Sequence, residues 1–336
     1  MKKFSWLLPV FISSVFVISL LFLSISRDFH TKYKGFEGEK YFTIQKGESS
    51  GRILERLFVE KIVEKSYPIK IAYALSFKKK SLKAGVYLFD KPLSPKEVLS
   101  KLEKGEVALL KLTLREGLTI EEYSKELANA TGSFEGFLSA MKDPSLIKEI
   151  DPQAKSLEGY LLPDTYFVAP FTSEKEIVKI VVQSFLSFWN KVEKEHTGAD
   201  LRKTIILASI VEKETADSSE KSKIAGVFLN RLKIGMALQS DPTTVYALNR
   251  RGLYKGYLTK KDLKFEDPFN TYTNLGLPPE PICSPSKETI LAVLNPEKHH
   301  YLYFVSKGDG SHYFSETLNF HNQAVSKYIK NGRKGK

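Results

Sequence analysis

From Phe4 to Ser26 the chain carries no charge, and Leu7 to Ile25 is a nearly unbroken apolar run. Roughly 20 apolar residues let a helix cross a bilayer, so residues 1–29 read as a cytoplasmic start followed by a transmembrane anchor. Lys2 and Lys3 precede the run. Basic residues stay on the cytoplasmic side, which puts everything after Arg27 outside. The competing reading is a cleaved signal peptide, with Ser24-Ile25-Ser26 as a poor small-x-small cleavage site. The apolar region is long for that role. Pro9 falls where a first helical turn tolerates it. Under either reading the body is exported, so the net charge of +12 points to a membrane surface or an acidic polymer rather than nucleic acid. The lysines are scattered, and no nucleic-acid motif accompanies them.

The remaining chain, 336 residues in all with 42% hydrophobic and 27% charged residues, has room for two folded domains. A short polar linker is expected over Asp28 to Glu39. An internal repeat follows. Thr43-Ile44-Gln45-Lys46-Gly47 leads into Ile53 and Leu57, and Thr113-Leu114-Arg115-Glu116-Gly117 leads into Tyr123 and Leu127. Each reads as a short strand, a glycine turn and an amphipathic helix. Ala84 to Phe89 is a strand between them, and Ser94-Pro95 starts a helix with Ser as N-cap and Pro at N1. Residues 38–150 thus form a small strand–helix region. It resembles LysM-like modules, which bind glycan chains; a plain α+β spacer is the equal alternative. Residues 151–330 form a second, mixed α+β domain. In it Ser173 and Glu176 set a capping box, Ser284-Pro285 begins a helix, and Tyr301–Ser306 with Ser311–Phe314 make a β-hairpin. A last helix runs from about Leu318 to Ile329, ahead of a basic tail. The fold class is therefore α+β behind an N-terminal transmembrane helix.

The chemistry concentrates in Ile205-Ile206-Leu207-Ala208-Ser209-Ile210-Val211-Glu212-Lys213-Glu214-Thr215. On a helix, Leu207, Ile210, Val211 and Glu214 recur at i, i+3, i+4 and i+7, so Glu214 continues the apolar stripe. Glu212 lies about 200° round the helix from it and points away. A carboxyl that ends an apolar stripe loses solvation, its pKa rises, and it becomes a general acid for neutral pH. Two solvated glutamates on a last turn are the alternative.

Other chemistries lack their residues. No His-Glu-x-x-His or comparable spacing supports a metal site, and no metal or cofactor is expected. Gly-x-Ser-x-Gly and the phosphate-binding glycine loops are missing. Cys283, the single cysteine, permits no intrachain disulfide and sits in a proline-flanked loop as a spectator. What remains is carboxylate-driven chemistry outside the membrane on a polymer. Aromatic and amide clusters such as Phe269 to Asn274 suit sugars, and equally suit packing.

An ordered set of motifs resembles the endolytic murein transglycosylases, the MltG or YceG-like family. They are Glu158-Gly159 through Pro163-Asp164-Thr165-Tyr166, Ala208 to Thr215, and Val227-Phe228-Leu229-Asn230-Arg231-Leu232. Then come Met236 through Leu238-Gln239-Ser240-Asp241-Pro242-Thr243, Asn270-Thr271-Tyr272, and Gly276-Leu277-Pro278-Pro279. Tyr301 to Val305 and His321-Asn322 close the set. Phe269 stands where the family often has Tyr, one hydroxyl fewer. The resemblance implies a lyase of the bacterial inner membrane that cuts nascent peptidoglycan strands internally, between N-acetylmuramic acid and N-acetylglucosamine, terminating elongation and leaving 1,6-anhydro ends. Peptidoglycan strands are the implied partner, with peptidoglycan synthases as neighbours. Glu214 would protonate the glycosidic oxygen, then take the proton of the muramic C6 hydroxyl as that oxygen closes on C1. Glu214-Thr215 also resembles the Glu-Ser of lysozyme-like lytic enzymes, which favours Glu214 over Glu212, kept as a supporting residue. Glu158, Gln239, Asp241, Asn270 and Tyr272 are the implied substrate-binding residues. Two alternatives stand beside this reading: a non-catalytic membrane-anchored glycan-binding scaffold, and a muramidase that hydrolyses the same bond using a second carboxylate.

Overall fold

The computed structural model describes residues 7–75 and 81–330. Lys2 and Lys3, on which the orientation rests, lie outside that range, as do Phe4 to Trp6 and the end of the basic tail. The described chain is mixed α+β and divides into two compact units, one of residues 1–110 with 167–170, the other of residues 111–166 with 171–336.

The first unit begins with α1 (Leu7–His30). Its stretch Val10–His30 is the one helix among the described residues long and apolar enough to cross a membrane. From Val10 to Ser24 every side chain is exposed, an apolar surface that water does not tolerate in a soluble protein. The expected polar linker is tied down rather than free. Asp28 accepts from Lys65 Nζ at 2.9 Å and from the Tyr67 hydroxyl. Tyr33 and Leu93 exchange backbone hydrogen bonds at 3.1 and 3.2 Å. Beyond it, β1 (Lys40–Ile44), α2 (Ser50–Val59), α3 (Ser66–Leu75), β2 (Gly85–Phe89) and α4 (Pro95–Lys104) follow in order. β1 and β2 pair antiparallel with Phe42 opposite Tyr87. Their inward side chains Phe42, Ile44, Tyr87 and Phe89 pack on Ile53, Leu57, Val98 and Leu102. Ser94 and Glu97 close a full capping box ahead of Pro95, the arrangement their spacing predicts.

The second unit holds most of β3 (Leu110–Leu114), α5 (Ile120–Ala128), α6 (Phe134–Lys142), the start of β4 (Asp164–Val168), α7 (Glu174–Glu195), α8 (Leu201–Glu214), α9 (Lys221–Lys233), α10 (Asp241–Arg250), α11 (Lys287–Leu294), β5 (Tyr303–Ser306), β6 (His312–Ser315) and α12 (Leu318–Val325). The compact division falls near residue 110, within the strand–helix region of residues 38–150. The second half of the repeat, β3 and α5, belongs here because β3 pairs with β4 rather than with the first two strands. Both halves share one local design: a strand, a left-handed glycine (Gly47 at φ 84°, Gly117 at φ 75°), and a helix capped by Ser49 or Thr119. β5 and β6 form the antiparallel hairpin, with Ser306 opposite His312. A π-helical turn, Ser326–Lys330, replaces the end of the predicted last helix.

Two helix starts differ from the sequence reading. At α7, Ser173 accepts from Glu176 N–H, but the Glu176 carboxylate turns to Lys179, so only half of the capping box forms. α11 is capped by Ser286, not Ser284, whose backbone N–H is spent on the Leu118 carbonyl.

Candidate active site

α8 is buried on every side from Thr204 to Val211, which is why its sequence lacks a clean polar face. Its last turn emerges with two carboxylates on opposite sides.

Glu212 turns toward α9 and α11. It is 4% exposed and pairs with Lys221 Nζ at 3.1 Å, itself 6% exposed. It also accepts from the Ser286 N–H and hydroxyl, both at 2.8 Å, and from the Thr289 hydroxyl. Burial pushes its pKa up, but the bonds from Thr289 and Ser286 and the Lys221 charge outweigh it and hold the carboxyl below its usual range. Glu212 is an ionised brace under the start of α11.

Glu214 turns the other way. Burial raises its pKa to about 7. The Ser240 hydroxyl, donating to Oε1 at 2.5 Å, opposes that rise. Asp241 adds to it, and His312 and Arg231 oppose it more weakly. Two carboxylates two residues apart therefore have pKa values driven in opposite directions, the pattern that separates an acid from a structural anion.

The loop that delivers Ser240 is built for the purpose. Gln239 adopts φ 49°, a left-handed conformation uncommon outside glycine. Its N–H is held by the Thr271 carbonyl at 3.1 Å, and Ser240 N–H by the Thr271 hydroxyl at 3.0 Å. Arg231, buried, donates to the carbonyls of Leu238 at 2.5 Å and Leu302 at 2.6 Å. That ties the loop to the segment leading into β5. The hairpin supplies His312, whose Nδ1 sits 2.6 Å from Glu220 Oε2.

Of the residues implied as substrate-binding, the structure brings Asp241 and Tyr272 to Glu214. The Tyr272 hydroxyl donates to Asp241 Oδ1 at 2.6 Å. Gln239 is exposed beside them. Asn270 is 0% exposed. Its amide donates to the carbonyls of Leu263 at 3.2 Å and Phe265 at 2.8 Å and accepts from the Thr244 hydroxyl at 2.8 Å. It builds the floor and offers nothing to a ligand. Glu158 stands apart from Glu214. It is 3% exposed and accepts from Ile120 N–H at 3.1 Å and from the Tyr246 hydroxyl at 3.2 Å. Burial pushes its pKa up to about 8 against those two bonds.

Two clefts run between Glu158 and Asp241. One of about 460 Å³ is lined by Glu158, Tyr246, Asn249 and Arg250. The other, of about 660 Å³, is lined by Tyr246, Asn249, Val245, Pro242 and Asp241. They share Thr119, Glu122, Tyr246 and Asn249, so they form one groove along a face of α10. From Asp241 to Asn249 that face runs roughly 12 Å. Sequence reasoning missed Ser240, Arg231 and Tyr246 as members of the site. Ser240 and Arg231 lie inside quoted motifs, but no spacing rule says which side chain meets Glu214. Among the described residues no group of His, Cys, Asp and Glu could hold a metal ion.

Residues 42–327 match the YceG-like family. The chain belongs to that family. It is 33% identical over 265 residues to the endolytic murein transglycosylase of Bacillus subtilis strain 168, a match covering 73% of each chain. It is 30% identical over 305 residues to the endolytic murein transglycosylase of Streptococcus pneumoniae strain R6, covering 80% of this chain and 55% of that one. The crystal structure of a YceG-like protein from Listeria monocytogenes shares 30% identity and superposes with a TM-score of 0.56, covering 86% of this chain and 99% of the other. The match spans α8, the Ser240 loop, the groove and the hairpin, so every residue of the site lies inside the YceG-like region.

Proposed function

We infer that this YceG-like chain is a peptidoglycan lytic transglycosylase that cleaves glycan strands internally with Glu214 as its general acid and base. The observation that carries the reading is the environment of Glu214: a carboxyl pushed up to about 7 by burial, gripped by Ser240 and acted on by Asp241, which lines the groove. A carboxyl at that value is protonated often enough to give its proton to a glycosidic oxygen, and basic enough to take one back. In the proposed sequence the Glu214 proton goes to the leaving oxygen as the C1–O bond breaks. The muramic C6 hydroxyl then adds to C1 and returns its proton to Glu214, closing the 1,6-anhydro ring without water. Asp241, held by Tyr272, is the anion nearest this centre and balances charge that develops at C1. In this reading Gln239 and Tyr272 bond sugar hydroxyls or acetamido groups.

α1 supports a single-pass anchor with the body outside the cytoplasm, and nascent strands near the membrane are then the substrate within reach. The small first unit, two antiparallel strands under three helices, keeps its LysM-like reading as a glycan contact.

The test is mass spectrometry of products from uncrosslinked strands treated with the full chain in detergent micelles, wild type beside Glu214→Gln. Anhydro ends that vanish in the variant establish lyase and acid together. Reducing ends would make the enzyme a hydrolase, with Asp241 as the second carboxylate.

A further inference from the structure

The groove along α10 changes character from one end to the other. The end nearer Glu214 is lined by Asp241, Pro242 and Tyr254 together with Lys213, whose ammonium donates to the Gly117 carbonyl at 3.0 Å. At the Glu158 end three cations, Lys125, Lys142 and Arg250, line the cleft together with the carboxylates Glu121 and Glu122, and Glu122 is spent on the N–H and hydroxyl of the Thr119 cap. Lys125 is occupied by Glu121 at 3.1 Å. Lys142 and Arg250 have no carboxylate partner among the described residues. Arg250 is instead held in place by aromatic faces, its guanidinium carbon 4.5 Å above the Phe269 ring and 5.9 Å from that of Tyr246. Beneath the cations lies the buried Glu158–Tyr246 pair. A carboxyl that burial keeps protonated adds no negative charge to that end.

A neutral sugar has no need of unpaired cations. The muramic residues of a nascent strand, however, each carry a peptide through a lactyl ether, and that peptide bears free carboxylates. We propose that the Glu158 end of the groove receives the peptide stem of a muramic residue bound near Glu214, with Lys142 and Arg250 meeting its carboxylates. The lengths agree: four extended residues cover roughly 12 Å, the distance along α10 from Asp241 to Asn249. Arg250 suits the task because a planar guanidinium can take a carboxylate with two parallel hydrogen bonds while its face stays stacked. This inference rests on the glycan-cleaving reading of Glu214 and adds to it a preference for stem-bearing strands.

The test measures binding and cleavage separately. Short uncrosslinked glycan fragments are prepared with tetrapeptide stems, and the same fragments are stripped of stems by an amidase. Fluorescence anisotropy with the full chain in detergent micelles gives Kd for each, for wild type, Lys142→Glu and Arg250→Glu. The wild type is expected to bind stem-bearing fragments more tightly, and each reversal to cut that preference by roughly two- to fivefold, the effect of one exposed ion pair. The ratio of the two Kd values cancels any general loss of folded protein. A wild-type ratio near one, or a ratio that neither variant moves, overturns the proposal. Product analysis on the same samples separates the two readings: cleavage with a ratio near one defeats the stem site alone. A clear stem preference with no cleavage defeats the Glu214 reading and leaves the stem site standing.

Discussion

Ser240 donates its hydroxyl to Glu214 Oε1 across 2.5 Å, and the residue after it, Asp241, acts on the same carboxyl with the opposite sign. The hydrogen bond favours the charged form of Glu214; the neighbouring anion favours the protonated one. Burial lifts the pKa of Glu214, and these two consecutive residues adjust it in opposite directions.

Because Glu214 has to carry its proton into the reaction, kcat/KM should fall as pH rises through about 7. Ser240→Ala removes the bond that lowers the pKa, so the alkaline limb should move to higher pH. Asp241→Asn removes the anion that raises it, and the limb should move to lower pH. Initial cleavage rates from pH 5 to 9 decide the matter, and shifts in the same direction would defeat this account. Glu214→Gln should lose about 10²- to 10⁴-fold in rate, the usual contribution of a positioned acid or base.

Glu214 also links folding to pH. Its folded value of about 7 lies above the ordinary 4.5, so its contribution to stability is complete below pH 4.5 and is lost as pH rises through 7. Glu214→Gln carries no charge to bury. At pH 8 it should unfold at a higher temperature than wild type, by up to about 2–3 kcal/mol of stability, and at pH 4 the two should coincide. Thermal melts across that range measure the difference.

Glu212 should behave in the reverse sense. Its folded pKa is depressed, so its contribution is present above the ordinary carboxylate value and fades as pH falls. Glu212→Gln leaves Lys221 buried without an anion, a change of about 3 kcal/mol for a broken buried pair. The Tm gap should be wide at pH 7 and narrow in acid. Cleavage per folded molecule, with the fold fraction read by circular dichroism, should stay near wild type.

Gly159 sits at φ 86°, and a Cβ there would meet the Pro281 side chain at 2.5 Å and Ile205 Cγ2 at 2.9 Å. Gly159→Ala combines a left-handed backbone with overpacking and should cost about 2–4 kcal/mol. A melt within 1–2 °C of wild type would show that the Pro278–Pro281 segment yields.

Much of this arrangement was legible in the chain. The apolar run, the Ser94-Pro95 cap and the hairpin are local signals, each carried by a few adjacent residues. The stripe ending at Glu214 was legible for the same reason. What the sequence concealed is pairing at a distance. Glu212 reads as a solvated residue until Ser286 and Thr289, more than 70 residues later, are seen beneath it. Asn270 reads as a sugar ligand because its amide is the right chemistry, yet Leu263, Phe265, Thr244 and the Tyr272 N–H take up every bond it offers. Strand–helix similarity likewise identifies a repeat but not which strand each copy pairs with.

Cys283 is fully buried, its thiol turned onto the Ser209 carbonyl at 3.2 Å and pushed well above its ordinary pKa by burial. In an oxidising compartment an odd surface thiol is a handle by which two molecules become one. Sealed against α8, this sulfur is neither ionised nor reachable, so the chain meets oxidants as though it had no cysteine at all. Any cysteine introduced on its surface would then be the sole reactive thiol, and each position along the groove can be labelled one at a time.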